Sequence, residues 1–422
     1  MDDAEIAIVG AGAAGLSLAY RLCAHPPAGT GHPTNTTPSA RATALARDRP
    51  SIVLIDAPRG PLRPPERTWC FWEGSEGEFD ASLSGVWDTL RVRAPDGTSV
   101  IGSPAPLRYK MLRSSSFEEL VAARLDHDSR VRRVEAEVKE VRDLPQGAEV
   151  RATTPQGESL ALRARWVFDS RPLTTLPPAR TTLLQHFRGW FIRTDRPVFE
   201  AGLADLMDFR TPQPAHGLSF AYVLPMTPYD ALVEYTEFSG AVLDEQAYDE
   251  ALRLHVKKQL GLERYEVRSV EQGVIPMTDA RFPRRSGRSV FRIGTAGGAT
   301  RPSTGYTFAA VQRQTSAIAA AYHLGRTPEP PPVHARRSLA MDSVMLRALD
   351  TGRVDGAAFF AGLFDKVPMR RLLRFLDGRT RWDEDFRIGL RTPVLPMLRT
   401  VAELPWLPRH HQTHPLPQRR TS

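Results

Sequence analysis

A short apolar run, Ile6-Ala7-Ile8-Val9, stops at Gly10, and from there the chain reads Gly10-Ala11-Gly12-Ala13-Ala14-Gly15. Small and apolar residues continue to Cys23. No other feature restricts the fold so strongly. A buried strand must end at Gly10, turn tightly and enter a helix at once. Gly10 allows the turn, and Gly12 lets a pyrophosphate approach the backbone. Gly15 lets the helix lie close on the strand, with its N-terminus facing the phosphate. A second apolar run, Ser51-Ile52-Val53-Leu54-Ile55, ends in Asp56, an acid placed to bond a ribose hydroxyl. That acid should follow the glycines by about 20 residues. Here residues 26–50 intervene, a Pro-, Thr-, Gly-, Ala- and Arg-rich stretch without periodicity, which reads as a surface insertion. The motif predicts dinucleotide binding. A glycine turn that serves only helix packing is the competing reading.

The triplet alone does not separate FAD from NAD. A later segment does: Arg292-Ile293-Gly294-Thr295-Ala296-Gly297-Gly298-Ala299-Thr300-Arg301-Pro302-Ser303-Thr304-Gly305-Tyr306, a strand feeding a small-residue turn and then a helix over about 307–322. In a flavoprotein such a return segment passes the flavin. Gly294, Gly297, Gly298 and Gly305 would let the backbone approach the ring, and the helix N-terminus would stabilise negative charge there. FAD is therefore the expected cofactor; a generic loop is the alternative.

Between these units the pattern turns β-rich. Strands are expected at Ala164–Asp169, Gly189–Arg193, Ser219–Leu224 and Ala231–Thr236, and helices near Ser116–Leu125 and Glu245–Leu260. From about residue 327 the chain reads as mostly helical. The expected fold class is α/β plus β. A Rossmann-like FAD-binding domain (1–182, with a return segment 276–326) holds an inserted β-rich substrate domain (183–275), and a helical region with a tail (327–422) follows.

Composition narrows the function. A chain that is 41% hydrophobic and 25% charged suits a folded globular protein. Cys23 and Cys70 are far apart without metal-type spacing, so neither a disulfide framework nor a metal site is expected, and a reducing compartment is. His410, His411 and His414 sit in a tail that reads as solvated. The start lacks the basic residues and long apolar run of a secretory signal, so the sequon Asn35-Thr36-Thr37 is not expected to be used. No run reaches the roughly 18 apolar residues of a spanning helix. The net charge of +8 comes mostly from arginine, which fits either coding bias or attraction to an anionic surface. The basic residues are scattered and no nucleic-acid module is present, so no nucleic-acid partner is expected. Met369–Leu376 is basic and amphipathic; it reads either as a helix in a lipid headgroup region or as an ordinary packed helix.

Several short motifs, in this order, resemble the lycopene cyclase family within the FAD-binding hydroxylase- and reductase-like flavoproteins. They are the glycine turn through Leu16, Arg67-Thr68-Trp69-Cys70-Phe71-Trp72, Tyr109-Lys110-Met111-Leu112-Arg113 and Phe168-Asp169-Ser170-Arg171-Pro172. Gln185-His186-Phe187-Arg188-Gly189-Trp190, Leu206-Met207-Asp208-Phe209-Arg210 and Leu232-Val233-Glu234-Tyr235-Thr236 follow. Gly273-Val274-Ile275-Pro276-Met277 and Pro302-Ser303-Thr304-Gly305-Tyr306 complete the set, which runs nearly the full length. Gly294-Thr295 also lacks the acid that flavin hydroxylases usually carry in that turn.

The resemblance implies β-ring closure on the linear ends of lycopene or a related carotenoid, with no net redox change. Reduced FAD would be the active form, and NAD(P)H the electron source. The enzyme would be cytoplasmic and peripheral to the inner membrane. Arg113 would lie near the cofactor and Glu234 would be the catalytic acid. Such chemistry needs a carboxyl that stays protonated in an apolar pocket, and Glu234 lies within the apolar run Ala231–Tyr235. A solvent-facing position at a strand edge is the alternative for Glu234. Asp208 and Arg210 would orient the acid or form a structural ion pair. Trp190, Phe191, Phe220 and Tyr222 are candidate rings for stabilising a cation, or plain core. Tyr235 stands where many members carry a second acid, so that role passes to Glu237 or Asp208, or is absent. The competing functions are an FAD-dependent hydroxylase or prenyl/carotenoid reductase of the same fold, and a non-catalytic carrier of isoprenoid lipids.

Overall fold

The computed structural model describes residues 2–24, 49–60 and 62–411. Most of the expected insertion 26–50, the sequon at Asn35 and His414 lie outside the described residues. β1 (Asp2–Val9) runs into α1 (Ala13–Leu22), and β2 (Ile52–Asp56) returns parallel to β1. β3 (Thr68–Glu73), β4 (Leu83–Trp87), β5 (Thr89–Arg93), β6 (Ser99–Gly102) and β7 (Arg108–Arg113) precede α2 (Ser114–Leu125). β8 (Val131–Glu135), β9 (Glu137–Leu144), β10 (Gly147–Thr153) and β11 (Ser159–Asp169) then bring the chain back beside β1.

The first sheet has the order β8-β2-β1-β11-β10-β9. Its centre is parallel and buried on both faces, which is why Ile52, Val53, Leu54 and Ile55 form an unbroken apolar run. Successive side chains point to opposite faces. Ile6 and Ile8 pack with α1, while Ala7 and Val9 pack with β10 and β11.

A second sheet carries the rest of the β structure: β12 (Thr182–Arg193), β13 (Leu203–Asp208), β14 (Leu218–Pro225), β15 (Asp230–Ser239) and, after α3 (Glu245–Lys258), β16 (Glu266–Thr278). Its order is β16-β12-β15-β14-β13-β5-β6. The expected division at 182/183 is therefore too simple. β5 and β6, from within the first 182 residues, extend the second sheet through a parallel pairing of β5 with β13. A three-stranded sheet, β3-β7-β4, is also drawn from those residues.

β17 (Val290–Arg292) rejoins the first sheet beside β11 and leads through the glycine-rich turn into α4 (Phe308–His323), which packs on α1. Arg21 of α1 bonds Gln312 (2.8 Å) and Thr315 (3.0 Å) of α4. The chain ends in α5 (Arg336–Asp350), α6 (Gly356–Lys366), α7 (Met369–Leu376), α8 (Trp382–Gly389) and α9 (Val394–Glu403). Met369, Leu372, Leu373 and Leu376 are buried in the core shared with the second sheet. The amphipathic segment Met369–Leu376 is thus a packed helix, and its apolar face is not free to enter a membrane. Among the described residues no helix is long and apolar enough to cross a membrane.

One buried ion pair joins the return turn to the C-terminal helices. Arg301 donates to Asp342 Oδ1 from Nε (3.2 Å) and Nη2 (3.1 Å), and Ser303 donates to the same oxygen (2.6 Å). Both charged residues are almost wholly buried. Asp342→Ala leaves a buried guanidinium without its counter-ion and is expected to destabilise by about 3–5 kcal/mol. Urea unfolding measures this, and Arg301→Met combined with Asp342→Leu should recover part of the loss.

Candidate active site

An open cavity, with about 650 Å³ of empty space when adjoining solvent is included, lies between the second sheet, the three-stranded sheet and the return turn. Thr68, Trp69 and Cys70 of β3 and Tyr109 of β7 form one wall. Gln185, Phe187, Tyr222, Leu224, Leu232, Glu234, Glu271 and Ile275 form the sheet wall, and Gly305 to Phe308 close it from the return side. Aromatic rings dominate the lining. The charged residues in it are two carboxylic acids.

The strand register brings those acids together. Gly189 of β12 pairs with Glu234 of β15 on one side and with Glu271 of β16 on the other. The two acids thus lie two strands apart on one face, with no side chain between them. A Cβ at Gly189 would sit 2.9 Å from Leu232 Cδ1 and 3.3 Å from both Glu234 Cβ and Glu271 Cγ. The glycine leaves the space into which both acids lean.

Their surroundings differ. Glu234 is half-buried, its open side on the cavity, and its Oε1 accepts a hydrogen bond from Thr236 (2.9 Å). Burial, and then the neighbouring charge of Glu271, raise its pKa well above the usual carboxylate range. Burial raises Glu271 too, but three partners oppose it: the Thr68 hydroxyl, Glu234 and the charge of Arg113. Thr68 donates to Glu271 Oε2 at 2.7 Å, while Oε1 is buried without a partner. A proton on Glu234 supplies the missing donor. Burial opposes two charges here, and the opposing partners of Glu271 make Glu234 the acid whose protonation the site favours more.

Glu234 does not lie at a solvent-facing strand edge; β15 is interior to the sheet. Of the four candidate rings, Tyr222 lines the cavity. Phe220 is core, packed edge-on against Tyr222 (5.1 Å between centroids) and Phe238 (5.5 Å). Phe191 lies under the Arg113 guanidinium at 4.4 Å. Trp190 points to the opposite face of the sheet, where its indole N–H donates to Asp249 of α3 (3.2 Å). Strand alternation forces this, since neighbours on a strand cannot share a face.

Asp208 and Arg210 are also not at the cavity. Asp208 is fully buried, bonded by Arg210 Nε (2.9 Å) and 3.7 Å from His255 of α3, so it too faces α3. The pair is a structural ion pair and cannot orient Glu234. Glu237 lies on that face as well, accepting from Tyr235 (2.8 Å) and 3.6 Å from His186. Burial pushes His186 down to about 4, so it is neutral there. The acid that lies beside Glu234 at the cavity is Glu271, whereas Glu237 and Asp208 lie on the other face. Its signal in the sequence was its place two residues before Gly273-Val274-Ile275-Pro276-Met277.

The candidate cofactor residues lie at the edge of the first sheet. Gly10 takes a positive φ (+94°), α1 starts at Gly12 without a side-chain cap, and nothing lies within 4 Å of a Cβ built at Gly12. A Cβ at Gly15 would strike Gly10 O at 1.9 Å, so that glycine seats the helix on the turn. Asp56 ends β2, 3.4 Å from Arg63. Gly294 abuts Ala14 of α1; Gly297 and Gly298 continue the turn, and Gly305 packs on Gln185 at the cavity. This open, uncapped helix N-terminus, with an acid at the next strand end, fits a dinucleotide pyrophosphate and ribose. Arg113 pairs with Glu66, lies over Phe191 and bears on Glu271.

Gly189→Ala forces a methyl between the two acids. It is expected to cost about 1–3 kcal/mol by urea unfolding, the range for overpacking, while a Gly12→Ala variant in open space leaves the folded chain intact.

The architecture matches known folds across nearly the whole chain. A geranylgeranyl bacteriochlorophyll reductase-like protein from Thermoplasma acidophilum aligns over 97% of this chain and 100% of its own, with 11% identity and a TM-score of 0.60. A flavoprotein/dehydrogenase from Cytophaga hutchinsonii aligns over 96% and 100%, with 11% identity and a TM-score of 0.61. The p-nitrophenol 4-monooxygenase PnpA from Pseudomonas putida DLL-E4 aligns over 96% and 99%, with 15% identity and a TM-score of 0.54. The fold is that of flavoprotein reductases and hydroxylases. No curated protein matches the sequence significantly. The family described as lycopene cyclase protein matches residues 5–402, almost the entire described fold, and the chain belongs to the lycopene cyclase family.

Proposed function

We propose that this chain is a lycopene β-cyclase that closes β-ionone rings on the linear ends of lycopene or a close relative. The observation that carries the reading is the pair of carboxyls, Glu234 and Glu271, set side by side across Gly189 in an aromatic-lined cavity, where burial raises both. A carbon–carbon double bond is a weak base, and an acid that stays protonated at neutral pH, away from water, is what its protonation needs.

Glu234 gives its proton to C2 of the end group, and the C1–C2 π pair forms the new C–H bond. This leaves a tertiary cation at C1. The C5–C6 π pair then forms the C1–C6 bond and moves the charge to C5. Loss of the C6 proton restores a C5–C6 double bond and completes the ring. The acid pair, left with two negative charges, takes up the proton released from C6, so protons and electrons balance without net oxidation. Trp69, Tyr222 and Tyr306 line the cavity, and aromatic rings there would stabilise the positive charge. Burial holds the Tyr222 and Tyr306 hydroxyls above their usual range, so they stay neutral.

The uncapped α1 N-terminus, Gly10, Gly12 and Asp56 would hold FAD, and Gly305 to Phe308 join that region to the cavity. When bound there, reduced FAD would supply negative charge that favours a cationic intermediate, and NAD(P)H would be its electron source. A carotenoid substrate resides in lipid, which supports a working position at a membrane surface, on the cytoplasmic side in this reading.

The test is pigment analysis of lycopene-accumulating bacteria that express the chain. A product of unchanged mass with a β- or γ-carotene spectrum is expected. A product changed by oxygen or hydrogen would favour the hydroxylase or reductase reading instead. Glu234→Gln should lower ring closure by about 10²–10⁴-fold, the usual worth of a general acid, with folding intact.

The two acids separate by pH. Activity requires the proton on Glu234 and falls as pH rises through the pair's upper ionisation. Glu271→Gln removes the charge that raises Glu234, so this alkaline limb moves to lower pH. Stability has its own sign. Glu234 is protonated in the fold and ionised when unfolded, so folding takes up a proton. Its burial costs nothing below the unfolded carboxyl range, and stability falls as pH rises above that range. Glu234→Gln should flatten this slope in thermal melts across pH.

A further inference from the structure

The outer faces of α8 and α9 are built the wrong way round for a soluble protein. A surface helix normally turns its apolar stripe inward. In α8 the inward residues include Asp385, which Arg337 holds at 2.6 Å, and Glu384, which Arg374 holds at 3.2 Å. In α9 the buried residue is Thr400, bonded by Arg353 at 3.1 Å, and Glu403 pairs with Arg347 at 2.6 Å. These polar ties fix the two helices to α5 and its neighbours. The outward side is apolar: Trp382 (71% exposed), Phe386, Leu390, Leu395 (72%), Leu398 and, just beyond α9, Trp406 (86%).

A run of exposed large apolar residues on adjoining elements marks an interaction surface. Its charge indicates the partner. Arg381, Arg387, Arg391 and Arg399 are exposed among these residues, on a chain of net charge +8. Asp383, paired with Arg381 (3.5 Å) and Arg387 (3.7 Å), is half-buried. Tryptophan and leucine with flanking arginine is the composition of an interfacial anchor. The same helices pack, through Ile388 and Met397, on the apolar core that contains the cavity residues Tyr222, Leu224 and Leu232.

We infer that the α8–α9 face, extended by Trp406, is the surface by which this protein docks on an anionic lipid bilayer, its apolar side chains in the headgroup–acyl boundary and its arginines on the phosphates. The choice of lipid rests on the carotenoid reading, since a substrate dissolved in the bilayer must be collected there. The inverted orientation of the two helices is independent of it.

The test is flotation of the purified full chain with vesicles of phosphatidylglycerol and phosphatidylethanolamine in equal parts, and separately with phosphatidylcholine vesicles. The wild type should float with the anionic vesicles, with its tryptophan emission shifted to the blue. Trp382→Ser/Leu395→Ser/Trp406→Ser should weaken binding by about tenfold or more, and Arg391→Glu/Arg399→Glu should weaken it too. Both should melt like the wild type, because the replaced side chains lie outside. Cyclisation of detergent-dispersed lycopene by the triple variant should be unchanged. No vesicle binding by the wild type, or equal binding by the triple variant, overturns the proposal. A wild-type dimer that the triple variant breaks, without vesicle binding, assigns the face to a second copy and also overturns it. Wild type that floats but leaves dispersed lycopene unchanged removes the cyclase reading and leaves the docking surface standing.

Discussion

Two carboxyl groups held side by side across a missing side chain are the constraint on which the rest of this structure turns. Like charges in a buried site cannot both persist, so one acid must stay protonated. Here Thr68 and the charge of Arg113 support ionised Glu271, and the proton is left on Glu234. That division depends on β12, β15 and β16 keeping their register, because a one-residue slip of β15 or β16 would send its carboxyl to the opposite face, and a slip of β12 would move Gly189 from between the acids. It depends equally on Gly189, where the space for both acids is made.

The second sheet is a partition with different chemistry on each side. Toward α3 it carries a neutral His186 bonded to Tyr248 of the helix, Glu237 bonded to Tyr235, and the Asp208–Arg210 pair, which suits a structural layer. Toward the cavity it carries the two acids among aromatic and aliphatic residues. β3 and β7, outside this sheet, supply Thr68, Trp69 and Tyr109 from the other wall. The return turn, locked to α5 by the buried Arg301–Asp342 pair, lines the same space with Gly305 to Phe308.

Much of the frame was legible in the sequence because it rests on local rules. The strand–glycine–helix unit at residues 6–22, the doubly buried run 52–55 and the return segment at 290–305 each carry their own geometric signal. Glu234 stood out as an acid in an apolar strand. What was not legible depended on pairing between strands distant in sequence. Nothing local says that Glu271 lies across Gly189 from Glu234, or that β5 and β6 cross into the second sheet. Trp190 and Phe191 were taken together by proximity in sequence, whereas strand alternation separates them. Asp208 and Arg210 bond each other locally, but the face they occupy is set by β13 and α3. For Met369–Leu376, amphipathicity alone could not say which apolar surface it meets; the exposed apolar side chains lie further on, in α8 and α9.

The most direct test of the proton on Glu234 is infrared spectroscopy of the purified protein at about pH 7, well above the ordinary carboxylate range. The account predicts a protonated-carboxyl band that disappears in Glu234→Gln. A spectrum with ionised carboxylates alone, or a band that persists in Glu234→Gln and vanishes in Glu271→Gln, would contradict it.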